Sequence, residues 1–161
     1  MSIVVRPATV DDVPKIAALV RELAAGIGES SPVTAAYVAA YLQFPSNGIL
    51  VAEDAPPCPG TNTDGGPQLV GLISFSVRPS LFHAADSALI EELVVAAGHR
   101  GRGIGGALVE SLLAKLEKDG CAEVSVTVMP DNEGALRFYR AHGLVDEAVY
   151  LEKHFGHPTP A

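Results

Sequence analysis

Residues 90–113 read IEELVVAAGHRGRGIGGALVESLL. An apolar run over residues 93–97 stops at Gly98. His99, Arg100, Gly101, Arg102, Gly103, Ile104, Gly105 and Gly106 then form a short basic loop dense in glycine. An amphipathic helix opens at about Gly103. In it Ile104, Leu108 and Leu112 recur every four residues, and Val109, Leu113 and Leu116 widen the stripe. Strand, glycine loop and helix start, in that order, make an anion site. Backbone N–H groups of the first helical turn lack intrahelical partners, and the helix dipole is positive there. Gly103, Gly105 and Gly106 carry no side chain to hold an anion off, and Arg100 and Arg102 add fixed positive charge. The stretch predicts a site for a cofactor that contains pyrophosphate.

The rest of the composition limits what that cofactor serves. A chain of 161 residues, 48% apolar, reads as one globular domain over residues 1–161. Its net charge of -8 argues against nucleic acid as a partner, because phosphate contacts need a broad basic surface. Apolar runs fall far short of a membrane span. Residues 1–12, MSIVVRPATVDD, lack the basic start and apolar core of a secretion signal, which points to the cytoplasm. Cys58 and Cys121 form neither a disulfide framework nor a metal-ligand spacing. His83, His99, His142, His154 and His157 show no ligand spacing either, and no metal is expected.

Residues 3–6 read as a first strand closed by Pro7. A helix capped by Thr9 or Asp11 carries Pro14 in its first turn and Ile16, Leu19, Val20 and Leu23 at helical spacing, ending at Gly26 and Gly28. A second helix starts at residues 30–32 and sets Tyr37, Val38, Tyr41 and Leu42 on one side. Residues 49–53 and 69–77 read as strands around a flexible loop, 54–68, rich in proline and glycine. Residues 79–87 are a connection, 88–97 the central strand and 103–118 the central helix, stopped by Gly120. Val124, Val126 and Val128 alternate in a strand over 123–129. Asp131 or Asn132 caps a helix to about His142, before Gly143. Residues 144–153 hold one or two last strands, and 156–161 are a tail. The order predicts a mixed α/β sheet with helices on both faces.

Residues 101–106, GRGIGG, satisfy the dinucleotide pattern G-x-G-x-x-G, with Glu123 about 20 positions on. Three features weigh against it. Gly98, His99 and Arg100 separate the motif from its strand, most of the sheet precedes it, and two arginines are superfluous at a dinucleotide helix start. The same residues, Arg100-Gly101-Arg102-Gly103-Ile104-Gly105, resemble the R/Q-x-x-G-x-G/A signature of the GCN5-related N-acetyltransferases. Residues 90–95 and the later Asn132-Glu133-Gly134-Ala135-Leu136-Arg137-Phe138-Tyr139 fit that family in order and spacing. The resemblance implies a mostly antiparallel sheet of six or seven strands. In it the central strand and the strand after the central helix splay into a V. It also implies acetyl-CoA as donor, a small-molecule or peptide amine as acceptor, and a homodimer. The alternatives are a non-catalytic acyl-CoA-binding or regulatory module and an NAD-binding enzyme.

Acetyl transfer needs a neutral amine, and an alkylamine with a pKa of ~10.4 is neutral in only about one molecule in a few thousand at pH 7. A nearby carboxylate can take the proton. Glu91 and Glu92 interrupt the apolar central strand, and strand neighbours point to opposite faces, so at most one of them faces the cleft unless a bulge intervenes. Glu91 matches the position of a proposed base in diamine acetyltransferases, which this stretch is similar to, and Glu92 is the second candidate. The resemblance further sets Tyr139 beside the leaving sulfur. It gives the backbone of Leu93, Val94 and Val95 to the pantetheine arm, as an added strand would bind. Arg100, Gly101, Arg102, Gly103, Ile104, Gly105 and Gly106 fall to the pyrophosphate. Asn132 is either a pantetheine contact or a helix cap.

Overall fold

Two strands that pair along nearly their whole length carry the fold. In a computed structural model describing residues 2–55, 68–151 and 153, β3 (Gln68–Ser80) and β4 (Ala85–Val95) form an antiparallel hairpin. On the far side of β3 lie β2 (Asn47–Ala55) and then β1 (Ser2–Pro7), both antiparallel to their neighbours. On the far side of β4 lies β5 (Glu123–Val126), parallel to it. The sheet order is therefore β1-β2-β3-β4-β5. The chain parts into two compact units, residues 1–126 and 127–161. The whole sheet belongs to the first.

Period-2 alternation on β3 sorts the helices to the two faces. Leu72 points into a cluster with Val13, Ile16, Ala17 and Leu19 of α1 (Val13–Gly26) and Val38 of α2 (Ala35–Tyr41). The next residue back, Gly71, points the other way. A Cβ there would meet Ile104 Cγ2 and Leu108 Cδ1 at 3.2 Å and Val94 O at 3.0 Å. Glycine at this position lets α3 (Ile104–Lys118) lie close on the sheet, where it buries Ile104, Leu108, Val109, Leu112 and Leu116. Helices thus cover both faces. At the start of α1 the buried Asp12 receives both guanidinium arms of Arg6 from β1, at 2.7 and 2.9 Å, and the N–H of Thr9 at 2.8 Å. Arg6 also donates to Glu53 of β2.

The second unit contains α4 (Glu133–Ala141), capped by Asn132, whose Oδ1 accepts from Ala135 N at 3.1 Å. Gly143 stops it at φ 86°.

Several boundaries differ from expectation. The sheet has five strands among the described residues, where six or seven were expected. The described residues between 144 and 153 carry no strand, and 127–129 do not extend β5. Asp54, Ala55 and Gln68 belong to β2 and β3 rather than to a 54–68 loop, whose residues 56–67 lie outside the described residues, with Cys58 among them. The 156–161 tail, His154 and His157 lie outside them too. The connection expected over 79–87 shrinks to a four-residue turn, 81–84, because cross-strand pairing zips the hairpin to Ser80↔Ala85. The central strand ends at Val95, and α2 starts at Ala35 behind a Thr34 cap rather than at 30–32. Tyr37 is exposed, so the apolar side of α2 is narrower than its sequence suggests.

Candidate functional site

The register between β3 and β4 slips by one residue in the middle of the sheet. Phe75 pairs with Ile90, but Ser74 pairs with Glu92, so Glu91 is the extra residue of a β-bulge. A bulge resets the alternation of the strand that carries it. Ser74 and Ser76 are two apart on β3 and share a face. Ser76 Oγ donates to Glu91 Oε1 at 2.7 Å, and Ser74 Oγ donates to Glu92 Oε2. Glu92 N returns a bond to Ser74 Oγ at 3.1 Å. Both glutamates therefore face the side of the sheet that α1 and α2 cover. The sequence left open whether one or both would do so, and the bulge decides it.

Their surroundings differ. Glu91 is exposed and Glu92 half-buried. Burial pushes the Glu92 carboxyl above its ordinary range; the Ser74 hydroxyl pulls it back in part, and the charge of Glu91 pushes it up again. Tyr41, at the C-terminal end of α2, sits against the same groups. Burial, then Glu92 and Glu91, push its phenol up to about 12, while Ser74 pulls it down. Sequence reasoning gave Tyr41 only a packing role and passed over Ser74 and Ser76. The available signal was a hydroxyl recurring at period two, Ser74 and Ser76, inside the apolar strand that pairs with the glutamates.

The ladder between β4 and β5 ends at Ile90↔Val126, while β4 runs on to Val95. Beyond Ile90 that edge of β4 pairs with no strand among the described residues. Val94 is buried and Leu93 and Val95 are half-buried. A 3-10 turn, Ala97–His99, then separates the strand from the glycine loop. That gap is what a dinucleotide fingerprint lacks. Gly101 and Gly103 have φ 74° and 77°, with nothing within 4 Å of where a Cβ would stand. Gly103 is the N-cap of α3, and the first helical bond runs from Ala107 N to Gly103 O at 3.0 Å. The amides of Ile104, Gly105 and Gly106 are thus left for an outside acceptor. The Ile104 side chain is buried and anchors the helix, so only its N–H is on offer. Arg100 and Arg102 are exposed, and Arg100 Nε donates to Val95 O at 3.1 Å, bracing the loop against the strand end. An open, positively polarised cradle with two arginines fits a pyrophosphate.

In the second unit Tyr139 is buried on α4, and its ring meets Phe138 edge-on at 5.1 Å. Burial raises its phenol pKa. Asn132 is exposed and its side chain caps α4. Among the described residues no group of three or more His, Cys, Asp or Glu could hold a metal ion, and no helix is long and apolar enough to cross a membrane.

A five-stranded mixed sheet with one parallel edge, helices on both faces and a glycine loop at the start of the helix after β4 defines an α/β class. The model of the Acetyltransferase (GNAT) family matches residues 20–144, and the chain belongs to that family. A curated relative, L-2,4-diaminobutyric acid acetyltransferase of Nocardia farcinica, is 30% identical over 87 residues, 52% of this chain. The match spans 42% of that relative's own length. Among solved structures, a transcriptional regulator from Bacillus halodurans superposes with a TM-score of 0.77 at 25% identity, covering 96% of this chain and 100% of that one. An aminoglycoside acetyltransferase from an uncultured soil metagenomic sample, in complex with trehalose, gives 0.76 at 20% identity, covering 96% and 97%. At that identity the likeness shows the fold.

Proposed function

We propose that this chain is an acetyl-CoA-dependent N-acetyltransferase acting on a primary amine by direct attack. The observation that carries the reading is the bulge, which turns Glu91 and Glu92 to one face of the strand that feeds the glycine cradle. Acetyl-CoA supplies an acyl group activated as a thioester. The amides of Gly103, Ile104, Gly105 and Gly106, with Arg100 and Arg102, hold its pyrophosphate, and the backbone of Leu93, Val94 and Val95 receives its pantetheine arm.

Glu92 takes the proton that the amine loses, because a carboxyl raised toward neutral pH is a better proton acceptor there than an ordinary one. Glu91, exposed beside it, attracts the cation. The amine nitrogen forms the bond to the acyl carbon as the carbon–sulfur bond breaks, and the electron pair leaves on sulfur. Tyr139 donates a hydrogen bond to that sulfur, in the role the resemblance gives it. Its raised pKa lies above a thiol's ~8.5, so it steadies the thiolate and keeps its own proton. Asn132 contributes as the cap that fixes α4. The diaminobutyrate acetyltransferase relative supports a small amine as acceptor. A cytoplasmic site of action and a homodimer belong to the same proposal.

The first test is thermal shift with acetyl-CoA, CoA and NADH. Each is set near 100 times its dissociation constant, which adds about 2.7 kcal/mol or roughly 5–10 °C. Thiol release is then followed with butylamine, putrescine, diaminobutyrate, kanamycin and a lysine amide. Shifts with acetyl-CoA and CoA plus turnover of one amine support the reading. A shift with NADH alone overturns it, and shifts without any turnover leave a binding module.

A further inference from the structure

Tyr41 ends α2, and its hydroxyl oxygen is shut off from solvent without a hydrogen-bond partner. A buried hydroxyl left unbonded is a cost to folding, and phenylalanine would fill the same space without it. Packing therefore accounts for the ring and leaves the oxygen unexplained. The neighbours narrow its purpose. Glu92, Glu91, Tyr37 and the Ser74 hydroxyl act on it, the two carboxylates more strongly than Tyr37. Ser74 has already committed its proton to Glu92 and accepts the Glu92 amide. Among the described residues, none of the ion pairs includes Glu91 or Glu92.

We propose that Tyr41 is an acceptor-binding residue, its hydroxyl oxygen receiving one N–H of a primary aliphatic ammonium held against Glu92 and Glu91. The inference rests on the acetyltransferase reading and adds the side chain that positions the acceptor. An ammonium presents three donors. Glu92, Glu91 and the phenol oxygen present three acceptors on two elements, β4 and α2, which converge on the same face. Burial and the two carboxylates keep the phenol protonated, so it meets the cation as a neutral dipole. When Glu92 removes one proton, the phenol still holds the nitrogen in place.

The test is Tyr41→Phe in the full chain, assayed with the amine of the panel above that the wild type acetylates fastest. The acceptor KM is expected to rise about tenfold, the size of one lost hydrogen bond to a charged group. The kcat and the acetyl-CoA KM stay within about threefold, and Tm is unchanged or higher because an unbonded hydroxyl has gone. An unmoved acceptor KM overturns the proposal. So does a rise in the KM of both substrates with a lower Tm, which would make Tyr41 a packing residue. Wild-type protein that acetylates no amine overturns the acetyltransferase reading and this one with it. Normal wild-type turnover with an unmoved KM in the variant sinks this one alone.

Discussion

Glu91 and Glu92 are adjacent in sequence, yet each bonds a serine of the same β3 face, Ser76 for Glu91 and Ser74 for Glu92. Regular strand geometry forbids this, and the one-residue bulge permits it. The pairing leaves Glu91 exposed and Glu92 half-buried, and the proposed mechanism gives them different work. Glu92 is raised by burial and by its neighbour's charge, so the acid limb of kcat/KM should lie above the ordinary glutamate range. Glu92→Gln is expected to remove that limb and lower kcat/KM by about 10²–10⁴-fold. Glu91→Gln should act mainly on acceptor KM. The pH profile of kcat/KM at saturating acetyl-CoA checks both, and a limb that survives Glu92→Gln assigns the proton elsewhere.

The same shift makes a statement about stability. A carboxyl whose folded pKa is raised favours folding fully below its unfolded pKa, and that contribution is lost as pH rises through the folded value. Glu92→Gln keeps a side chain able to bond Ser74 and carries no charge. The variant should match or exceed the wild-type Tm at pH 8 and lose its relative advantage in acid. A Tm clearly below wild type at pH 8 would show that the charged form is stabilised by something outside this account.

Asp12 is the opposite case. The Arg6 guanidinium, against the cost of burial, holds its carboxyl down at about 2, and the Thr9 N–H and hydroxyl help. Its contribution is present above the ordinary value of 3.8 and is lost as pH falls through about 2. Asp12→Asn should cost about 2 kcal/mol at pH 7, since one pKa unit is about 1.4 kcal/mol. It should also flatten the fall in Tm over that acid window. Thermal melts of both proteins across pH 2 to 5 test this, and parallel curves would refute it.

What the sequence revealed and what it hid divide along a physical line. The cradle was legible because its signals are local: an apolar run, positive-φ glycines at Gly101 and Gly103, and a stripe of Ile104, Leu108 and Leu112. The stops at Gly120 and Gly143 were legible for the same reason, both having positive φ. The bulge was not, because it is a property of two strands in register, and neither Ser74-Phe75 nor Ile90-Glu91-Glu92 contains the glycine that marks many bulges. Tyr41 was hidden by its own ring, which satisfies the apolar stripe of α2 and so conceals an oxygen with nothing to bond. The extent of the β3–β4 hairpin depends on pairing through Ser80↔Ala85, which no single strand encodes.

Gly103 joins a left-handed backbone to the N-cap of α3, where the proposed function sets the pyrophosphate. Its φ of 77° is the left-handed conformation, and the space around it is open. Gly103→Ala therefore meets no clash in the free protein, and its cost is the backbone preference of an L-residue, about 1–2 kcal/mol. A methyl group at the mouth of the cradle would also hold a pyrophosphate off the amides. The acetyl-CoA KM should rise about tenfold or more, beyond what the stability loss explains. Calorimetric titration with CoA separates the two effects: unchanged affinity in a folded variant would move the pyrophosphate away from this loop.

Tyr139 tests the leaving-group half of the reaction. Its phenol is raised by burial, so in the proposed reaction it donates a hydrogen bond without surrendering its proton. Tyr139→Phe keeps the ring and its edge-on contact with Phe138, so Tm should change little. The hydrogen bond to sulfur gains strength as negative charge develops there, and such donors act on kcat rather than on binding. The kcat is expected to fall by about 10²-fold, with acetyl-CoA KM within about threefold. A thioester with a more acidic leaving thiol needs less help, so the defect should shrink with an acetylated aryl thiol in place of acetyl-CoA. Equal losses with both donors would place Tyr139 away from the sulfur, and an undiminished kcat would remove it from the chemistry.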